Sequence, residues 1–368
     1  YQTFFRVGSR NEVPGITGIS HFMEHMMFNG AEKYGPKEFD GILESNGGYS
    51  NAFTSNDMTA YYEDISSDGL ALVVDLDTDR MRSLALDQKY LTSEMGVVME
   101  ERRLSVDNSV NGQMWEELSA LSFKAHPYQW PVLGWMSDLE GINREDCVNY
   151  FRTYYAPNNA ILIVAGDFDA KEALELIHKN YDPIPAQAPP APVRTREPEQ
   201  LGERRAMVHK VAELPEVLIG YHGPSVSEDD LFALAVLESI LSSGESSRLY
   251  KTLVRDAEAA LYAFANFGWG IDPDLLVFSV KMRPGREARE AGSRFRRPGD
   301  CTVPVPAASR GATMAYIRRY SIHLVSADGS WVLASAEIQP QGQGLSPDGT
   351  GVLLATSTPT PATANRFE

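Results

Sequence analysis

Residues 183–200 read PIPAQAPPAPVRTREPEQ, with six prolines in eighteen positions. Proline lacks an amide hydrogen and fixes φ, so this stretch suits neither a helix interior nor a central strand. It is extended and semi-rigid, the behaviour of a linker. A chain of 368 residues is long enough for about two domains, and the proline segment marks where they part. The expected fold class is α+β, with a first domain over 1–182, a linker over 183–200, a second domain over 201–282 and a tail over 283–368.

Both sides of the linker mix strand and helix patterns. Thr17 is expected to cap a helix that runs through His25 and stops at Gly30. Pro36 opens another, closed by Gly47 and Gly48. Residues 49–65, YSNAFTSNDMTAYYEDI, alternate and are rich in Tyr, Phe and Thr; they predict two strands joined by a Ser-Asn-Asp turn. Helices are expected at 69–86, 89–108 and 115–123, then a buried strand at 160–168 and a helix at 169–181. Beyond the linker, one or two strands fall in 207–224. Helices follow at 231–244 and 246–257, and strands at 261–270 and 275–282. After Met282 the chain turns to RPGREAREAGSRFRRPGD, rich in Gly, Pro and Arg. That composition predicts disorder or an origin outside the fold.

Charge excludes some partners. The net charge of −17 argues against nucleic acid or an anionic membrane as a partner, because either needs a basic surface. The imbalance lies in the first 280 residues, because the rest holds 11 Lys and Arg against 7 Asp and Glu. No apolar run reaches the ~18–20 residues of a membrane span. The two cysteines, Cys147 and Cys301, make no disulfide framework and no thiolate zinc module. The sequence opens inside a strand-like run, YQTFFRVGS, as a fragment would.

Within the first expected helix stands HFMEH, residues 21–25. At 3.6 residues per turn His21 and His25 lie about 40° apart on one face, with Glu24 beside them. Such a pair of imidazoles can ligate zinc, and the carboxylate can deprotonate a zinc-bound water. The order H-x-x-E-H inverts the commoner H-E-x-x-H, and both occur in metallopeptidases. The bland alternative is a polar helix face. Ile19, Phe22, Met23, Met26, Met27 and Phe28 count against it, since burying two histidines and a glutamate is costly unless something satisfies them. A catalytic zinc needs a third protein ligand. In LTSEMGVVMEERR, Glu94 and Glu101 are two helical turns apart and share a face, while Glu100 points about 100° away. Glu101 is taken as the ligand and Glu94 as a carboxylate supporting the site.

The strings GSRNEVPGITGISHFMEHMMFNG, YSNAFTSNDMTAYY and E-x-x-VVMEE resemble the insulinase (pitrilysin, M16) family of zinc peptidases, most closely its smaller processing-peptidase-like members. The resemblance runs from about Phe5 to about Val280. It implies two similar α/β-roll domains forming half of a clam-shell, the second of them incomplete. It also implies one zinc ion per chain held by His21, His25 and Glu101, with Glu24 as general base and Glu94 behind the ligands. Ser50, Asn51 and Ala52 match an edge strand that takes the substrate backbone as an added strand. SSRLYKTLVRDAEAALYAF matches a segment whose Arg and Tyr, here Arg255 and Tyr262, reach a zinc site in an opposing half and contact substrate and oxyanion.

A clam-shell needs two halves, so the resemblance implies a partner: a second copy, giving a homodimer, or a paralogue. The expected function is zinc-dependent endopeptidase action on short or unfolded peptides. The alternatives are a non-catalytic scaffold or partner subunit, and a structural zinc site.

Overall fold

The computed structural model describes residues 1–212 and 214–288, together with the backbone of four strands at Thr313–Arg318, Ser321–Ser326, Trp331–Val332 and Val352–Thr356. Most of the tail at 283–368, including Cys301, lies outside the described residues. The chain forms two compact units. Tyr1–Ser105, Ala125–Pro198 and Gly342–Glu368 make up the first; Val106–Lys124 and Glu199–Gln341 make up the second. The sequence pattern groups 106–124 with the first domain, whereas the contacts group them with the second.

The first unit is a sheet with helices packed on it. Its strands are β1 (Gln2–Phe5), β2 (Tyr49–Thr54), β3 (Thr59–Asp64) and β4 (Ala160–Gly166). β1 lies between β3 and β4, antiparallel to both. β2 and β3 form a hairpin in which Tyr49 faces Asp64 and Thr54 faces Thr59. The last strand, β11 (Val352–Thr356), adds parallel to β4. The order is β11-β4-β1-β3-β2, which leaves β2 at an edge. Among the described residues it pairs with β3 alone.

The helices of this unit are α1 (Ile19–Met26), α2 (Glu38–Ser45), α3 (Leu70–Ser83), α4 (Gln88–Arg102), α6 (Met136–Gly141), α7 (Arg144–Tyr154) and α8 (Ala170–Tyr181). α1 is buried nearly all round, its polar residues included, and only His25 is half-buried. Ile19, Phe22, Met23, Met26 and Met27 are buried with Phe5, Val7, Tyr61 and Val98. Its first turn is set by residues away from it. Thr17 does not cap it: the hydroxyl donates to Asp138 Oδ2 at 2.7 Å. The capping position is Gly18, at φ 90°, a left-handed conformation that costs a side-chain-bearing residue. The free N–H groups of Gly18 and Ser20 donate to the two oxygens of Glu12, each at 2.8 Å. That carboxylate meets the orphan donors of a helix start.

One charged cluster is fully enclosed. Arg80 of α3 donates to Asp77 and Glu63, both at 2.7 Å, and stacks over Phe39 and Tyr61 at 4.4 and 4.6 Å. Buried charge is tolerable only with such pairing.

The second unit has a three-stranded antiparallel sheet of β5 (Glu216–His222), β6 (Ala260–Phe267) and β7 (Leu275–Met282), in the order β5-β7-β6. α9 (Asp230–Ser242) packs on β6, and α5 (Val110–Ser122) packs on β5. Leu231, Leu234, Phe267, Leu276 and Val280 lie in its core. A further small sheet joins β8 (Thr313–Arg318), β9 (Ser321–Ser326) and β10 (Trp331–Val332). Residues 183–212 contain no helix or strand, as expected of so much proline. Among the described residues no helix is long and apolar enough to cross a membrane.

Candidate active site

α1 and α4 pack together, and this brings the sequence-predicted polar residues to one place. His21 and His25, one turn apart, have ring centroids 4.7 Å apart. Both turn Nε2 toward the same atom of α4: Glu101 Oε2 lies 3.6 Å from His21 Nε2 and 3.5 Å from His25 Nε2. One ligand atom from each of the three residues lies within 4.8 Å of the others, a grouping able to hold a metal ion. Glu100, the neighbour turned aside, is exposed and pairs with Arg103 at 3.1 Å.

His21 and Glu24 are buried, while the Glu101 side chain is 42% exposed. The imidazoles therefore form the floor, and the carboxylate stands at the rim. Burial and the neighbouring His25 lower His21 to about 4, against the pull of Glu101. His25 behaves oppositely. Burial would lower it, but the hydrogen bonds and charges of Glu101 and Glu94 outweigh burial and raise it to about 9. Hydrogen bonding to His25 in turn holds Glu101 and Glu94 below the usual carboxylate range. The pocket thus favours a cation between its carboxylates.

Glu94 holds the back of His25. His25 Nδ1 donates to Glu94 Oε1 at 2.8 Å, and Asn29 Nδ2 donates to Glu94 Oε2 at 3.1 Å. Glu24 points beside the pair. Burial raises its carboxyl above the ordinary range, and a hydrogen bond from Thr54 Oγ1 at 2.5 Å opposes that rise. Asn29 and Thr54 are contacts that sequence reasoning missed. Asn29 lies four residues past His25 on a helical spacing, a usable signal; Thr54 comes from a strand with no such spacing to α1.

Ser50, Asn51 and Ala52 lie on β2, the edge strand whose end carries Thr54. Ser50 Oγ donates to Asp40 at 2.6 Å, and Asn51 Oδ1 accepts from the Ala52 amide at 2.8 Å. Arg255 and Tyr262 stand in the second unit. Arg255 is exposed and pairs with Asp256 at 2.7 Å. The Tyr262 hydroxyl donates to Glu216 Oε1 at 2.7 Å; burial and that carboxylate push the phenol up to about 12.

Comparison with known proteins shows the family. Residues 2–134 match the insulinase family (peptidase family M16), and residues 141–296 match the peptidase M16 inactive domain. The chain is 36% identical to the zinc protease PqqE of Helicobacter pylori over 288 residues, 77% of this chain and 65% of that protein. It is 26% identical to the mitochondrial-processing peptidase subunit beta of Lentinula edodes, over 65% of this chain and 52% of that one. It spans 60–65% of the length of three zinc proteases that it matches. Among solved structures, a protease from Helicobacter pylori superposes with a TM-score of 0.77 at 34% identity, covering 79% of this chain and 71% of that one. Pitrilysin shares the fold, with a TM-score of 0.57 at 18% identity over 77% of this chain and 31% of that one. With 34% identity to a protease of known structure over 71% of that protein, and an M16 match on each side of residue 140, this chain belongs to the M16 (insulinase) family of peptidases.

Proposed function

We propose that the chain carries the active site of a zinc-dependent endopeptidase acting on short or unfolded peptides. The observation that carries this reading is the convergence of His21 Nε2, His25 Nε2 and Glu101 Oε2, with Glu24 alongside. The donor set fits zinc, which takes imidazole nitrogen and carboxylate oxygen and leaves a position for water in catalytic sites. Among the described residues the buried Nδ1 of His21 has no hydrogen-bond partner, so none of them commits that ring elsewhere. Zinc, when bound, supplies a Lewis acid for the peptide carbonyl and a water with its pKa lowered toward 7.

The chain's residues do the remainder. Glu24 takes the proton from the water and passes it to the leaving amine. Glu94, itself held by Asn29, keeps the Nδ1 proton of His25 engaged and leaves Nε2 to face Glu101. The edge of β2, unpaired with any other strand among the described residues, offers backbone groups to an extended peptide; Ser50, Asn51 and Ala52 are the residues it would lie along, with the peptide displacing the Asn51 side chain from the Ala52 amide. Arg255 and Tyr262 are proposed to serve the site of an opposing half, which makes a second copy of the chain the favoured partner and a paralogue the other.

The test is hydrolysis of an internally quenched peptide by the purified chain, before and after chelation and zinc re-addition. Cleavage lost with chelator and restored by zinc supports the reading. A folded, zinc-loaded chain with no cleavage, alone or concentrated enough to dimerise, favours a non-catalytic subunit.

A further inference from the structure

Thr54 is the last residue of β2 and the cross-strand partner of Thr59 on β3. Its Oγ1 lies 2.5 Å from Glu24 Oε2 and 3.4 Å from Thr59 Oγ1. A hydroxyl has one proton to donate. Thr59 is fully buried and gives its own proton to the Val7 carbonyl oxygen at 2.9 Å. Toward Thr54, then, Thr59 is an acceptor, and two acceptors compete for one proton. The shorter contact wins, and it goes to Glu24. Among the described residues this is the hydrogen bond that the Glu24 carboxyl receives.

We propose that Thr54 is a positioning residue for the general base. Its hydroxyl holds Glu24 Oε2, which leaves Oε1 as the oxygen that takes the proton from water. A buried carboxylate with no donor would have to reorient or neutralise, because desolvation is not compensated. The contact also ties the base to the strand on which the substrate backbone would add. A peptide that orders the β2 edge thereby orders Glu24, so substrate binding and base alignment are one event. This inference rests on the peptidase reading and deepens it.

Two variants test it. Thr54→Val keeps the β-branched shape and loses the donor; Thr54→Ser keeps the donor. Expected for Thr54→Val are a fall in kcat of about 10- to 100-fold, since a hydrogen bond to a charged group is lost, a KM within about threefold and unchanged zinc content. Thr54→Ser should recover most of the rate. The second readout needs no turnover. In crystals of the two metal-free variants, the Glu24 carboxylate should leave its position in Thr54→Val and keep it in Thr54→Ser. A Thr54→Val enzyme with wild-type kcat, or with Glu24 unmoved, overturns the proposal. So does an equal loss in both variants, which would mark a strand effect. A wild-type chain that cleaves nothing sinks the peptidase reading instead, and the Glu24 position in the crystals then decides the role of Thr54.

Discussion

His25 Nδ1 donates to Glu94 Oε1 at 2.8 Å, so a carboxylate on α4 fixes which edge of an imidazole on α1 turns toward Glu101. Glu94 and Glu101 stand two turns apart on one helix, and the imidazole sits between their reach. The pair behaves as a clamp, with one jaw behind the ring and the other in front.

Loosening the rear jaw should weaken metal binding without unfolding the chain. Glu94→Ala is expected to lower zinc affinity by about 10- to 100-fold, the usual effect of removing a carboxylate that orients a metal-binding histidine. Asn29→Ala should act in the same direction and more weakly, because it touches Glu94 and not the ring. Competition against a zinc-binding dye measures both. Unchanged affinity in Glu94→Ala would show that the His25 ring is held by packing alone.

The start of α1 should tolerate no side chain at Gly18. Its φ is 90°, and a Cβ there would stand 2.7 Å from the Leu133 carbonyl oxygen and 3.0 Å from Gly134 Cα. Gly18→Ala is expected to cost about 2–4 kcal/mol, from the left-handed backbone and the backbone clash together. Thermal unfolding measures the cost. The histidines sit on the first and second turns of this helix, so zinc affinity should fall with stability.

Glu12, which caps that same helix, gives a pH signature. Burial raises its carboxyl to about 8, against the hydrogen bonds from Ser20 and Gly18 and with the nearby Asp138 adding to the rise. A folded-state pKa above the unfolded value means the folded chain binds the proton more tightly. This contribution to stability is fully present below about 4.5 and is lost as pH climbs toward 8. Glu12→Gln should remove that part of the pH dependence. Melting temperatures of wild type and variant between pH 5 and pH 8 check it, and parallel curves for the two would contradict it.

Local patterns make much of the candidate site legible in the sequence. His21, Glu24 and His25 are linked by helical spacing, and so are Glu94 and Glu101; a spacing of four or seven survives into three dimensions because the helix is rigid. The M16 resemblance named the fold and linked the two helices. What stayed hidden is long-range. Thr17 looks like a cap, but its hydroxyl finds Asp138, 121 positions away, and the capping falls to Gly18 and Glu12. Helical patterning over 69–86 does not mark Arg80, which is buried between Glu63 and Asp77. Helical periodicity finds α5, but it does not tell which unit α5 packs with. Thr54 reads as an ordinary strand residue, because only the folded hairpin brings it to Glu24.

If Glu24 moves the proton while His21, His25 and Glu101 hold the metal, removing the acid should spare zinc and abolish turnover. Measuring zinc content and peptide turnover on the same preparation of Glu24→Gln tests it most directly. Expected are about one zinc per chain, as in wild type, and turnover reduced by about 100-fold or more, in keeping with the loss of a general base. A variant that keeps its turnover, or that loses zinc along with it, would contradict this division of labour.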